Sequence, residues 1–343
     1  MSEPAFTVVD IGGTTLRTAR YDPGTGVLDD VRRTPTAGMA RYPDAPVPLS
    51  QQRVLEQLSE LLSAALPRHG GSAVAVAFAG PVTADGRVLA APTIWGGRGE
   101  PLPLAALLEQ RLGVPVAVVN DITAAVWRYA DPDATGEQFC LLTVSSGIGG
   151  KVFRAGEVLL DAEGHGGEFG HWTCDRAPDA PLCDCGGRGH LGAVASGRAM
   201  EAAARGAARA DPVGYARSRL ARSAPDPDRL DNAALVEAIR AEDGFATAVL
   251  RAGLVHLASA VTSLFTAIGV RRFVVMGGFA LAVGPLYARY LTEEVARLGC
   301  FGLTGAEIQR MVVLGEPDDD HGLIGAGRLL AARTGVRQAV AAR

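Results

Sequence analysis

The chain has 343 residues, 48% hydrophobic and 20% charged, enough for a large buried core divided between two domains. Its formal net charge of -4 excludes a global positive field for nucleic acid or anionic lipid, and no apolar run reaches the roughly 18–20 residues of a membrane span. The opening MSEPAFTVVDIGG lacks the basic segment and long apolar core of a signal peptide, so a cytoplasmic protein acting on a small molecule is expected, with no nucleic-acid or membrane partner.

In chain order, Phe6–Ile11 reads as a strand, followed by Gly12, Gly13, Thr14 and Thr15. Leu16–Tyr21 reads as a second strand returning antiparallel, which makes a hairpin. Val54–Leu66 has helical spacing, and Ala73–Phe78 is a buried-type strand ending at Ala79, Gly80 and Pro81. Leu104–Leu112 is helical, Val114–Val119 is a strand ending at Asn120 and Asp121, and a helix begins near Thr123. The pattern then restarts. Phe139–Val144 is a strand, Ser145–Gly150 a glycine-rich turn, and Lys151–Arg154 a returning strand. Two such halves predict a duplicated α/β fold with a cleft between them. Arg198–Ile268 is mostly helical, interrupted by the polar loop Ala224–Asp231. Phe273–Met276 is a strand ending in Gly277 and Gly278, Met311–Leu314 is a late strand, and His321–Thr334 is a Gly/Ala-rich helix.

Asp10-Ile11-Gly12-Gly13-Thr14 places a carboxylate at a strand end before two glycines, which let a backbone approach phosphate closely. A carboxylate facing polyphosphate is repulsive without a cation, so Asp10 implies Mg²⁺ held through water. A plain hairpin turn asks for the same glycines. Ser145-Ser146-Gly147-Ile148-Gly149-Gly150 offers hydroxyls and amides to β and γ phosphates, and Gly277-Gly278 would flank an adenine. None of these is a Walker A loop or a Rossmann fingerprint. Asn120-Asp121 supplies a carboxylate at a strand end, as a kinase needs to take the proton of an attacking hydroxyl; helix capping is the plainer use of the same pair.

Five cysteines, an odd number in a long chain, imply no disulfide scaffold. His171, Cys183, Cys185 and His190 form a tetrahedral zinc set with two imidazoles and two thiolates, and Cys174 is a fifth possible ligand. Free cysteines in a polar loop are the other reading of these residues; four protein ligands leave no open position, so such a zinc would be structural and would hold the loop bearing Glu168 and His171.

Along the chain, Asp10–Thr14, Ala79-Gly80-Pro81-Val82, Asn120-Asp121, Ser146-Gly147-Ile148-Gly149, Glu168-x-Gly170-His171, the Cys183/Cys185 loop, Ser196-Gly197 and Gly277-Gly278 together resemble the ROK family (repressors, open reading frames and sugar kinases). The glucokinase-like members are the most similar. The resemblance implies an actin-like, hexokinase-like duplicated two-domain α/β fold with ATP and substrate in a central cleft. The small domain would be residues 1–121 plus 321–343, and the large one 122–320 with the zinc loop. It implies Asp121 as catalytic base, and Asn120, Glu168, His171 and Gly80 as substrate contacts. Asp10, Gly12, Gly13, Thr14, Ser146, Gly147, Gly149, Gly277 and Gly278 would hold the nucleotide, and the protein would be a homodimer.

The sequence departs from the family pattern in three places. His190 stands where a third cysteine is usual, Gly192 where a glutamate contacts sugar hydroxyls, and Pro92-Thr93-Ile94 where Pro-Asn-x is common. A pocket missing a polar contact discriminates against a substrate that needs it. Amino sugars such as kanosamine and C7 cyclitols of the valienone or valiolone type therefore stand beside glucose as candidate acceptors, phosphorylated at a primary hydroxyl. A sugar-responsive repressor is the competing reading; its helix-turn-helix domain would precede the first phosphate loop, which here begins at Asp10. A non-catalytic sugar-binding protein is another, but it would not need Asp121.

Overall fold

The computed structural model describes residues 5–96, 99–131 and 136–335. They form two compact units. The first comprises the described residues within Met1–Glu137, Gly156–Gly166 and Asp318–Arg343, and the second Gln138–Ala155 and Gly167–Pro317.

In the first unit β1 (Ala5–Ile11), β2 (Thr15–Tyr21), β3 (Leu28–Pro35), β4 (Gly71–Phe78) and β5 (Val116–Asn120) make one sheet in the order β3-β2-β1-β4-β5. β2 is antiparallel to β1 and β3, whereas β1, β4 and β5 run parallel. The parallel strands read as unbroken apolar runs because both faces are covered. Val9, Ile11, Val74, Val76, Phe78 and Val118 pack against Val54, Leu58 and Leu62 of α1 (Val47–His69) and Leu104 and Leu108 of α2 (Leu104–Leu112). Alternate residues, Phe6, Val8, Ala73, Ala75, Ala77 and Val119, face α3 (Asp121–Tyr129) and the terminal helix His321–Thr334. The small residues on that face let the terminal helix approach closely: a Cβ on Gly325 would lie 1.8 Å from the Ala124 carbonyl, and one on Gly327 would lie 2.4 Å from the Tyr21 ring.

The sequence boundary at 121/122 differs from this grouping. α3 stays in the first unit because it packs on the terminal helix. Asp318–Asp320 also join the first unit, bound there by Arg128, Arg17 and Arg33.

In the second unit β6 (Gln138–Val144) and β7 (Ile148–Arg154) form the second hairpin; the two-residue β8 (Glu157–Val158), next in the chain, falls in the first unit. β9 (Phe273–Met276) lies parallel to β6, and β10 (Val312–Leu314) parallel to β9. The order β7-β6-β9-β10 repeats β2-β1-β4-β5 of the first unit, so the duplication expected from sequence is present at the level of topology. The core gathers Leu142, Val144, Phe273 and Val275 with Leu250, Leu254, Leu257 and Val261 of the helix Gly244–Ile268, and with Tyr287, Leu291 and Val295 of Pro285–Leu298. The helix Gly244–Ile268 is long and apolar enough to cross a membrane, and its buried residues supply this core. Asp243 caps its start by accepting from the Ala246 amide at 2.9 Å, and Gly269, in the left-handed region, ends it.

Candidate active site

In the first unit the sequence-predicted residues collect at the carboxyl ends of β1, β4 and β5. Asp10 is the penultimate residue of β1, and the turn after it closes through the Gly12 amide donating to the Thr15 carbonyl at 3.0 Å. Gly13 has no room for a side chain, since a Cβ there would lie 2.4 Å from the Thr93 carbonyl. Thr14 uses its carbonyl to accept from the Thr36 amide at 3.0 Å. The turn after β4 is tied to β1 by the Ala79 amide donating to the Ile11 carbonyl at 3.0 Å. Gly80 is equally confined, with the Ala90 carbonyl 2.2 Å from where a Cβ would sit.

Asn120 serves as cap and as linker at once. Its Oδ1 accepts from the amides of Ile122 and Thr123, both at 3.1 Å, which starts α3 at Asp121 rather than at Thr123. Its Nδ2 donates to the Gly80 carbonyl at 3.0 Å and to Asp121 Oδ1 at 2.8 Å. Asp121 Oδ1 also accepts from the Ile122 amide at 2.9 Å. One carboxylate oxygen is thereby fixed, while Oδ2 has no hydrogen-bond partner among the described residues. Asp121 keeps some accessible surface, but its carboxyl lies among packed groups. Burial, and after it the negative charge of Asp10, pushes it up to about 7. Asp10 is raised for the same first reason, and Arg17 offsets part of that rise.

Arg17 was missed in the sequence. It stands opposite Asp10 in the β1–β2 ladder, and its guanidinium donates to Asp10 Oδ2. The same guanidinium reaches Asp319 at 3.1 Å and Asp320 at 3.3 Å. The signal was present, because a hairpin turning at Gly12–Thr14 sets residue 17 across from residue 10.

In the second unit the other predicted loops converge. Ser145, before Ser146, Gly147 and Gly149, accepts from the Gly197 amide at 2.8 Å, and its hydroxyl lies 3.6 Å from where a Cβ on Gly278 would be. Gly277 takes φ 99°, and a Cβ there would lie 2.6 Å from the Val144 carbonyl, so this position requires glycine. Gly147 is open, with nothing within 4 Å of a Cβ.

Glu168 precedes the 3₁₀ turn Phe169–His171, whose last residue is His171. The ligand atoms of His171, Cys183, Cys185 and His190 all lie within 4.8 Å of one another. Cys183 Sγ is 3.7 Å from His171 Nδ1, and Cys185 Sγ is 3.2 Å from His190 Nδ1. The two short separations lie near the roughly 3.3–3.8 Å between ligand atoms of tetrahedral zinc with bonds of about 2.0–2.3 Å, and the wider pairs would draw in by up to about 1 Å on a bound ion. The donor set therefore fits the metal. Cys174 lies outside the group. Its thiol donates to the Gly189 carbonyl at 3.4 Å, and burial pushes it up to about 11. Close packing shapes the loop: a Cβ on Gly187 would lie 2.3 Å from the His190 ring, and Gly189 has φ 62° with the Asp175 carbonyl 1.7 Å from its Cβ position.

The repeated strand order of the two units is that of the actin-like, hexokinase-like class of duplicated α/β folds. Residues 6–333 match the ROK family, and the chain belongs to it, as one of its kinases with an alcohol group as acceptor. It is 55% identical over 337 residues to a C(7)-cyclitol 7-kinase of Streptomyces hygroscopicus subsp. jinggangensis, covering 97% of this chain and 95% of that one. It is 31% identical to a 2-epi-5-epi-valiolone 7-kinase of an Actinoplanes species, over 86% of this chain and 83% of that one. Among solved structures, a ROK family glucokinase from Streptomyces griseus in complex with glucose and AMPPNP matches with TM-score 0.71 and 27% identity, covering 95% and 98% of the two chains.

Proposed function

We propose that this chain transfers the γ-phosphoryl group of ATP to the exocyclic primary hydroxyl of a C7 cyclitol. The reaction rests on one observation: Asp121, with one oxygen fixed and its carboxyl pushed to about 7, is poised to accept a proton near neutral pH. The acceptor oxygen attacks the γ-phosphorus, its proton passes to Asp121, and the bond from that phosphorus to the β–γ bridging oxygen breaks, giving ADP and a phosphate monoester. Glu168, His171 and Gly80 hold acceptor hydroxyls, and Asn120 would do so by exchanging one of its present bonds to Gly80 or Asp121. Asp10, Gly12, Gly13, Thr14, Ser146, Gly147, Gly149, Gly277 and Gly278 hold the nucleotide. Asp10 would hold Mg²⁺ through water, and the metal supplies charge neutralisation on the phosphates when bound. Zinc on His171, Cys183, Cys185 and His190 would be structural, keeping the Glu168–His171 turn in place.

The choice of acceptor is supported by the identity to a C(7)-cyclitol 7-kinase and by Gly192, which supplies no side chain to a hexose hydroxyl. The resemblance further suggests a cytoplasmic homodimer, which sedimentation of the purified protein would test. Incubation with ATP, Mg²⁺ and 2-epi-5-epi-valiolone, followed by ³¹P NMR of the product, tests the reaction. A phosphate monoester on the exocyclic carbon is expected. ATP left unconsumed by every cyclitol, amino sugar and hexose offered would overturn it.

A further inference from the structure

Lys151 follows the glycine turn on β7, and its side chain is only 4% exposed. Its ammonium donates to Glu168 Oε1 at 2.9 Å, whereas the Glu168 side chain is 62% exposed. Lysine is almost never buried without a partner. An ion pair with a solvent-exposed carboxylate contributes little to stability by itself. What it does fix is the place of one oxygen on an otherwise mobile-chained, solvent-facing side chain. The backbone shows the same coupling. A Cβ on Gly167 would lie 2.3 Å from the Gly150 carbonyl, and one on Gly170 would lie 2.0 Å from the Ile148 carbonyl. The turn carrying Glu168 and His171 is thus pressed directly onto the start of β7, and Lys151 is a side chain that clamps it there.

The geometry points to Lys151 as a positioning residue for acceptor binding. It holds Glu168 Oε1 and leaves Oε2 to accept from a substrate hydroxyl. This rests on the reading of Glu168 as a substrate contact. A carboxylate oxygen accepts hydrogen bonds and donates none, so Oε2, oriented by the hold on Oε1, selects an acceptor carrying a free hydroxyl at that place and disfavours its deoxy or O-methyl analogue. Lys151 links the turn that reads the acceptor to the loop Ser145–Gly150 proposed to hold phosphate.

The test is a double-mutant cycle of Lys151→Met and Glu168→Gln, with 2-epi-5-epi-valiolone as acceptor. Michaelis constants for acceptor and ATP, acceptor affinity by calorimetry, and metal content are measured. Lys151→Met is expected to raise acceptor KM and Kd about tenfold, leaving ATP KM and metal content unchanged and kcat nearly so. Lys151→Arg should restore most of the loss, and Lys151→Met should add little on top of Glu168→Gln. The same loss in the Glu168→Gln background as in the parent, a fall in kcat at constant acceptor KM, or no effect at all would each overturn the proposal. Glu168→Gln without effect on acceptor affinity would overturn the Glu168 reading itself, and Lys151 with it. An effective Glu168→Gln beside a silent Lys151→Met would overturn the role of Lys151 alone. Should Lys151→Met fail to fold, Lys151→Gln reads the same coupling.

Discussion

Arg17 lies directly across the β1–β2 ladder from Asp10 and donates to its carboxylate, while the same guanidinium reaches Asp319 at 3.1 Å and Asp320 at 3.3 Å. One buried cation therefore ties the first glycine loop to the turn that opens the terminal helix. Gly322 completes the arrangement, because a Cβ there would lie 2.8 Å from the Asp10 carboxyl carbon.

Removing Arg17 leaves Asp10 buried beside two other carboxylates. Arg17→Met should lower stability by about 3–5 kcal/mol, the cost of stranding a buried charge, read as a lower urea midpoint. Asp10→Asn in the same chain should recover part of the stability and none of the activity. An unchanged midpoint in Arg17→Met would contradict the role given to the pair.

Asp121 carries a pH signature of known sign. Its carboxyl is raised from 3.8 to about 7, by burial first and the Asp10 charge second. The folded state therefore holds the proton more tightly than the unfolded chain between those values, and stability falls as pH rises through that window. The base must be ionised to work, so kcat/KM should fall as pH drops below about 7. Asp121→Asn should lower kcat by roughly 10²–10⁴ and yet raise Tm at pH 8 by at least roughly 2 °C. The gain in Tm should disappear near pH 4. A variant that keeps its kcat would move the base elsewhere.

Protein purified without added metal should contain one zinc per chain by elemental analysis. Cys183→Ser and His190→Ala should each lose it, and Cys174→Ala should keep it, since the Cys174 thiol is engaged by the Gly189 carbonyl at 3.4 Å. Zinc-free and fully active enzyme, or zinc that departs with Cys174 alone, would contradict the ligand set.

Gly192 sits against the turn that carries His171, with the Gly170 carbonyl 3.1 Å from where its Cβ would be. Gly192→Glu thus needs the turn to give by a few tenths of an ångström. It should nonetheless narrow the preference for cyclitol over glucose, by improving glucose or harming the cyclitol, as read from the ratio of kcat/KM values. A ratio unchanged from the parent would remove Gly192 from the specificity determinants.

Much of the fold was legible because strand and helix periods differ. The Gly/Ala-rich terminal helix His321–Thr334 and the strand Phe273–Met276, ending at Gly277-Gly278, have the bounds read from sequence. The hairpins followed from their glycine turns. β3 escaped notice because its sequence, LDDVRRTP, is that of an exposed edge strand with no apolar alternation. α1 begins at Val47 rather than near Val54 because its first turn buries Ser50 and Gln51, polar residues that periodicity discounts. In the site, the motif residues were readable singly and the ion pairs that orient them were not. Arg128 meets Asp318 across 190 positions of sequence, and a lysine such as Lys151 reads as a surface residue until the fold buries it. Glycines were the most informative residues, since a carbonyl at van der Waals contact demands them whatever the chemistry.

The most direct test is a comparison of kcat/KM for 2-epi-5-epi-valiolone and for glucose with the unaltered protein, together with ³¹P NMR of each product. A cyclitol advantage of roughly tenfold or more is expected, the size of one lost hydrogen bond to a charged group, with phosphate on the exocyclic carbon. Glucose as the better substrate, or phosphate on a ring hydroxyl of the cyclitol, would contradict the assignment of this chain as a C7-cyclitol kinase.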